Sequence, residues 1–300
     1  MTRARFGEVI TAMVTPFQAD GSLDLKAARA LAAHLVEHSS QGLVVAGTTG
    51  EAPTLSSAEK LRLFENVCEE VGDSATVIAG TGTYDTAETI GLTREANKIG
   101  VDACLVVTPY YSKPPQNGLL AHFRAVADAS AIPVICYDIP GRTSRRIERA
   151  TMLELARHEL IVAVKDAVGD VLETTRLRAE LDAAGHHDFE IYSGDDPLLL
   201  PHLAAGAVGV ISVTSHLIGD RLRSLFDAWG RGDIASARST FLGLLPLMTV
   251  IMTLTASPIP VKAALAMLGH EVGEPRLPLV AATPDEQEAI RAALAAAALL

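Results

Sequence analysis

Ile161-Val-Ala-Val-Lys165-Asp-Ala167 is a run of β-branched and small apolar residues that closes on a lysine. Near-continuous apolarity over five residues, rather than alternation, predicts a strand covered on both faces. Seven other stretches have this character: Val9–Thr15, Gly42–Ala46, Thr76–Gly80, Ala103–Thr108, Val134–Tyr137, Phe189–Ser193 and Gly209–Val213. Amphipathic helical patterns lie between them, among them Asp24–His38 and Ser56–Val71. The second opens on Ser56-x-x-Glu59, a capping-box spacing. Asp196-Pro197 predicts a further helix start, with Asp196 as N-cap. Eight strand–helix units are the number that closes a parallel (β/α)8 TIM barrel, an α/β fold. Alternation alone also permits an open doubly wound sheet. Asp220–Gly230 completes the eighth helix, and from Asp233 onward only helical signals remain, to the Ala-rich stretch near Arg291–Leu300. The expected organisation is a barrel over residues 1–232 and a C-terminal helical domain over 233–300.

The 300 residues are 49% hydrophobic and 20% charged, with a net charge of −11 and mean hydropathy of +0.26. These values describe a globular chain able to bury a large core. An acidic balance argues against nucleic acid or an anionic membrane as the main partner. Cys68, Cys104 and Cys136 form no close pair and are odd in number, which predicts reduced thiols in a cytoplasmic protein. Residues 1–8 lack the apolar core of a secretion signal. The apolar segment Phe241–Leu254 is interrupted by Gly243 and Pro246 and is expected to be too short to cross a bilayer.

In such barrels chemistry gathers where strands end. Those ends read Thr48-Thr49-Gly50-Glu51, Gly80-Thr81-Gly82, Tyr110-Tyr111, Tyr137-Asp138, Lys165-Asp166, Gly194-Asp195-Asp196 and Ile211-Ser212. Hydroxyls and phenols therefore surround one lysine. Burial disfavours its ammonium form, and a neutral amine can attack a carbonyl to form a Schiff base. The hydroxyl-bearing neighbours suit the proton transfers that follow. Each residue also has a plain structural reading: Lys165 as a strand cap paired with Asp166, Tyr137 as a half-buried aromatic, Tyr110-Tyr111 as loop packing, Arg142 as a solvated charge. Gly80-x-Gly82 lacks the third glycine of a dinucleotide loop and reads as a turn. His34 and His38 share a helix face without a third ligand at metal spacing.

Taken together, Gly47-Thr-Thr-Gly-Glu51, Tyr110-Tyr-Ser-Lys-Pro114, Tyr137-Asp-Ile-Pro-Gly-Arg-Thr143, Val164-Lys-Asp-Ala167, Ser193-Gly-Asp-Asp196 and Pro258-Ile-Pro-Val-Lys262 closely resemble the 4-hydroxy-tetrahydrodipicolinate synthase (dihydrodipicolinate synthase) family, in the family's order. The resemblance implies a lyase that condenses pyruvate with L-aspartate 4-semialdehyde, opening the lysine and diaminopimelate branch without cofactor or metal. By position, Lys165 matches the imine-forming lysine, Tyr137 the proton-shuttling tyrosine, and Thr48 and Tyr111 its relay partners. The family's equivalent of Tyr111 crosses a dimer interface, within a homotetramer built as a dimer of dimers. Thr49 and Ile211 match contacts to pyruvate, and Arg142 the residue holding the semialdehyde carboxylate. Asp138, Ser144 and Ser257 depart from the asparagine, glycine and asparagine usual in the family. Feedback-sensitive relatives carry histidines where Ser57 and Lys60 stand here and asparagine at Tyr84. Although Ala52, Glu88 and Tyr110 keep that pocket's register, inhibition by lysine is expected to be weak or absent. The rival readings are a related lysine-imine lyase of N-acetylneuraminate or a 2-keto-3-deoxy sugar acid, and a non-catalytic keto-acid-binding homologue.

Overall fold

A computed structural model describes residues 4–300. Eight strands, β1 (Val9–Ala12), β2 (Gly42–Val45), β3 (Thr76–Gly80), β4 (Ala103–Val107), β5 (Val134–Asp138), β6 (Ile161–Asp166), β7 (Glu190–Ser193) and β8 (Gly209–Ser212), form a closed barrel in chain order. Every neighbouring pair is parallel, and Val9–Thr11 of β1 register with Val210–Ser212 of β8. That last pairing excludes the open sheet. β1 is shorter than the run that predicted it: after Ala12 the chain leaves the ladder, and the Val14 amide donates to Nε2 of His216 at 3.1 Å.

The apolar runs are continuous because the barrel has two separate apolar surfaces. Ile10, Val44, Ile78, Leu105, Ile135 and Ile211 fill the lumen. Val9, Leu43, Val45, Val77, Cys104 and Cys136 face the ring of helices. Helix starts follow local hydrogen-bond supply. Ser56 accepts from the Glu59 amide at 3.2 Å while Glu59 accepts from the Ser56 amide at 2.8 Å, so the predicted capping box is present. Asp24 likewise caps the helix Leu25–Glu37.

The phase of β6 has a particular cause. Val134 registers with Ile161, but Ile135 registers with Ala163, so Val162 is an extra residue in the ladder. Such a bulge re-aims every side chain beyond it. Ile161 faces the helices, Ala163 faces the lumen, Val164 faces the helices again, and Lys165 therefore turns inward. Were Val162 paired in regular register instead of bulged, the lysine would point to the opposite side of the sheet.

The C-terminal region consists of helices Ile234–Thr253, Ile259–Met267 and Pro284–Ala296. Contrary to the expected interruption, Gly243 and Pro246 lie within one continuous helix of 20 residues, long and apolar enough to cross a membrane by length and composition. Its Ala237, Phe241, Leu244, Leu247, Met248 and Ile251 are buried and share one apolar cluster with the shell of the barrel. These are the contacts of a helix in a globular core. Asp196 is also not an N-cap. It is the first residue of a short 3-10 turn, and its carboxylate turns away to accept the Val213 and Thr214 amides at 2.9 and 3.1 Å.

Candidate active site

Tyr137 and Lys165 occupy matched positions on adjacent strands and both project into the C-terminal end of the lumen. The lysine Nζ lies 4.5 Å from the centre of the Tyr137 ring. Both are buried, each 4% exposed. Loss of water pushes the Lys165 pKa down from 10.5 to about 8, the Asp196 charge acting against that fall and the Arg142 charge with it. Strand capping by a pairing with Asp166 does not occur: the Asp166 carboxylate instead accepts the Thr174 hydroxyl at 2.7 Å and the Val168 amide at 3.0 Å. Burial raises Tyr137 to about 12, against the lowering effects of the neighbouring Thr48 hydroxyl and the Arg142 charge. The phenol thus keeps its proton at neutral pH while the amine can lose its own. That is the acid–base order imine formation requires.

A cavity of about 210 Å³ opens beside this pair, lined by Thr48, Tyr110, Tyr137 and Arg142 among others. Arg142 is exposed at its rim, on the one-turn helix Pro140–Thr143 that follows β5. Thr49 and Ile211 are buried, 4% and 1% exposed. Ile211 belongs to the same lumen cluster as Tyr137. Tyr111 stands apart from the buried candidates. It is 94% exposed, in a loop where Tyr111 and Lys113 both have positive φ, +66° and +48°. A bulky aromatic seldom adopts that conformation unless its surroundings impose it.

The loop after β2 depends on close backbone contact. A Cβ on Gly80 would fall 2.3 Å from the Ala46 carbonyl oxygen, and one on Gly82 the same distance from the Val107 amide. Gly80, the last residue of β3, and Gly82 both line the cavity, and their missing side chains allow this close packing. The His34 ring packs at a tilt against His38 and His270, 4.4 and 4.3 Å between ring centres, and among the described residues no cluster has metal-holding geometry.

Three polar features were missed in the sequence. Asp196 holds the end of β8 and places its charge near Lys165. Asp138, registered opposite Asp166, has a pKa raised to about 7 by burial and then by the Asp166 charge. His202 bonds to the Ser193 hydroxyl at 2.8 Å and tethers β7 from behind. The available signal was position: Asp138 and Ser193 close strands, and Asp196 follows one by three residues.

With this geometry, the comparisons agree along the whole chain. A family model described as the dihydrodipicolinate synthetase family matches residues 5–297. The chain is 50% identical over 296 residues to a 4-hydroxy-tetrahydrodipicolinate synthase of Moorella thermoacetica, covering 99% of this chain and 100% of that one. It is 52% identical over 297 residues to the corresponding synthase of Mycolicibacterium paratuberculosis, with 99% and 97% covered. The fold superposes with a TM-score of 0.95 on a crystal structure of the Cyanidioschyzon merolae enzyme with lysine bound, at 42% identity and 98% and 99% coverage. The chain belongs to the dihydrodipicolinate synthetase family.

Proposed function

We propose that this protein is a 4-hydroxy-tetrahydrodipicolinate synthase, condensing pyruvate with L-aspartate 4-semialdehyde through a Schiff base on Lys165 in lysine and diaminopimelate biosynthesis. The observation that carries the reading is the Lys165–Tyr137 pair: a desolvated amine facing a protonated phenol inside an apolar lumen. At pH 8 such an amine is about half neutral, against roughly 0.3% for a lysine at 10.5.

The Lys165 nitrogen attacks the pyruvate ketone carbon, and the carbinolamine loses water as Tyr137, relayed by Thr48, delivers a proton to the departing hydroxyl. Loss of a methyl proton gives the enamine, whose carbon bonds to the semialdehyde aldehyde carbon. Attack by the substrate's own amine on the imine carbon closes the ring and frees Lys165. Thr49 and the backbone at Ile211 hold the pyruvate carboxylate and carbonyl, and Arg142 holds the semialdehyde carboxylate, where its fork geometry suits bidentate pairing. Confining both substrates in one pocket supplies the orientation on which the carbon–carbon step depends. Every step runs on side chains, with no call on a cofactor or metal.

Tyr111 fits a relay role from across a subunit interface: its outward placement and positive φ are what a side chain given to a second copy requires. We accordingly read the protein as a homotetramer, a dimer of dimers, in the cytoplasm. Among the described residues we assign those up to 232 to the catalytic barrel and 233–300 to the helical domain. The named relatives are synthases rather than sugar-acid lyases. The test is incubation with pyruvate and borohydride followed by peptide mass spectrometry. A reduced pyruvyl adduct on Lys165 is expected; an unlabelled protein, or label on another amine, overturns the assignment.

A further inference from the structure

Two motif residues have no part in the chemistry above: Glu51, which ends the glycine–threonine loop, and Lys262, which ends Pro258-Ile-Pro-Val-Lys262. They lie 211 positions apart in the chain and meet in the fold. Lys262 Nζ is 2.8 Å from Glu51 Oε1, with the side chains 2% and 0% exposed. The second carboxylate oxygen accepts the Arg276 amide at 2.8 Å. Oε1 accepts no hydrogen bond of regular geometry, and the Lys262 ammonium is the cation set against it. Lys262 is held in turn by the Glu274 carbonyl at 3.3 Å and by the Phe17 ring, 4.4 Å from its nitrogen. The Arg276 guanidinium adds a bond to the Thr54 carbonyl at 2.8 Å.

This clamp grips a loop that carries two of the pyruvate-site residues. Glu51 has φ +59° and Ala46 φ +52°, so left-handed residues bracket Gly47-Thr48-Thr49-Gly50 on both sides. The Glu51 amide donates to the Thr48 carbonyl at 3.1 Å, and the Thr15 hydroxyl donates to the Gly50 carbonyl at 2.6 Å. Unfavourable backbone conformations persist only where the surroundings over-determine them. An ion pair is an expensive way to fill buried space, because both charges forgo water. Its use two residues from Thr49 calls for more than packing.

We propose that the buried Glu51–Lys262 pair is a positioning device by which the C-terminal helices hold the Thr48 and Thr49 groups in place for pyruvate, with Lys262 as the positioning residue. The inference rests on the reading of Lys165, Thr48 and Thr49 as the pyruvate site. Arg142, on a separate loop after β5, lies outside the clamp.

The experiment is steady-state kinetics of the full-length protein carrying Lys262→Met, Lys262→Arg or Glu51→Gln, with both substrates varied. Lys262→Met is expected to raise the pyruvate KM about ten-fold or more, in line with the sensitivity of catalysis to small misplacements, and to leave the semialdehyde KM nearly unchanged. Lys262→Arg, which keeps the charge, should recover most of the loss. Should Lys262→Met fail to fold, Glu51→Gln keeps the side-chain volume and an acceptor for the Arg276 amide while removing the charge pair, and the same selective rise is expected. A pair serving stability alone would lower the melting temperature or the active fraction and leave both KM values at wild type; that result overturns the proposal. Failure of the underlying pyruvate-site reading shows separately, as wild-type protein that borohydride leaves unlabelled.

Discussion

Replacing Lys165 by methionine should destroy turnover and at the same time make the protein more stable. A lysine held at about 8 instead of 10.5 is a charged group kept in a place that rejects its charge. In the unfolded chain the amine binds its proton up to about pH 10.5, and in the folded protein only up to about 8. Below pH 8 both states are protonated and the full penalty applies; between 8 and 10.5 the folded protein sheds the proton first and the penalty fades, so wild-type stability rises with pH across that window. The gap of about 2.5 in pKa corresponds to about 3.4 kcal/mol at 1.36 kcal/mol each. Methionine has comparable length and no charge, and it packs into irregular apolar space. Asp196 loses a favourable neighbour in the exchange but keeps the Val213 and Thr214 amides. The expectation is therefore a gain of about 2–3 kcal/mol at pH 7, shrinking toward zero by pH 10.5. Urea unfolding of both proteins at one fixed protein concentration, repeated across that pH range, measures it. A Lys165→Met protein that is less stable at pH 7, or whose advantage does not change with pH, would refute the claim that this amine is desolvated.

Tyr137→Phe removes the phenol and leaves the apolar ring; kcat should fall about 10²-fold or more, as for loss of a positioned proton donor, with little change in either KM. Arg142→Ala should act on the second substrate, raising the semialdehyde KM while borohydride trapping with pyruvate alone proceeds as in wild type. L-Lysine should inhibit weakly or not at all. Lys60 is 5% exposed and lines the cavity with Tyr110, and a cation there would repel the ammonium of an entering amino acid. An inhibition constant below the millimolar range in a coupled assay would contradict this.

The eight apolar runs were legible because each must be covered on both faces, and burial on two sides writes itself into every residue of a strand. The glycine–threonine loop, the tyrosine and the lysine were legible as strand ends for the same reason. Asp196 misled because an aspartate before a proline signals a helix cap locally, whereas its carboxylate is claimed by amides 17 and 18 residues away. Gly243 and Pro246 misled because propensity registers a missing side chain and a missing N–H donor, while burial of one helix face against the barrel's outer layer outweighs both.

Sequence alone determined the strand count, the helix starts at Asp24 and Ser56 and the inventory of reactive groups, since these follow from periodicity and from hydrogen bonds between near neighbours. Closure needed the pairing of β1 with β8. The inward aim of Lys165 needed Val162 to be left unpaired as a bulge, which the register against β5 decides. The partnership of Glu51 with Lys262 needed the C-terminal helices folded back over the barrel mouth. Each is a relation between segments distant in the chain, and no local pattern encodes which distant partner a residue will meet.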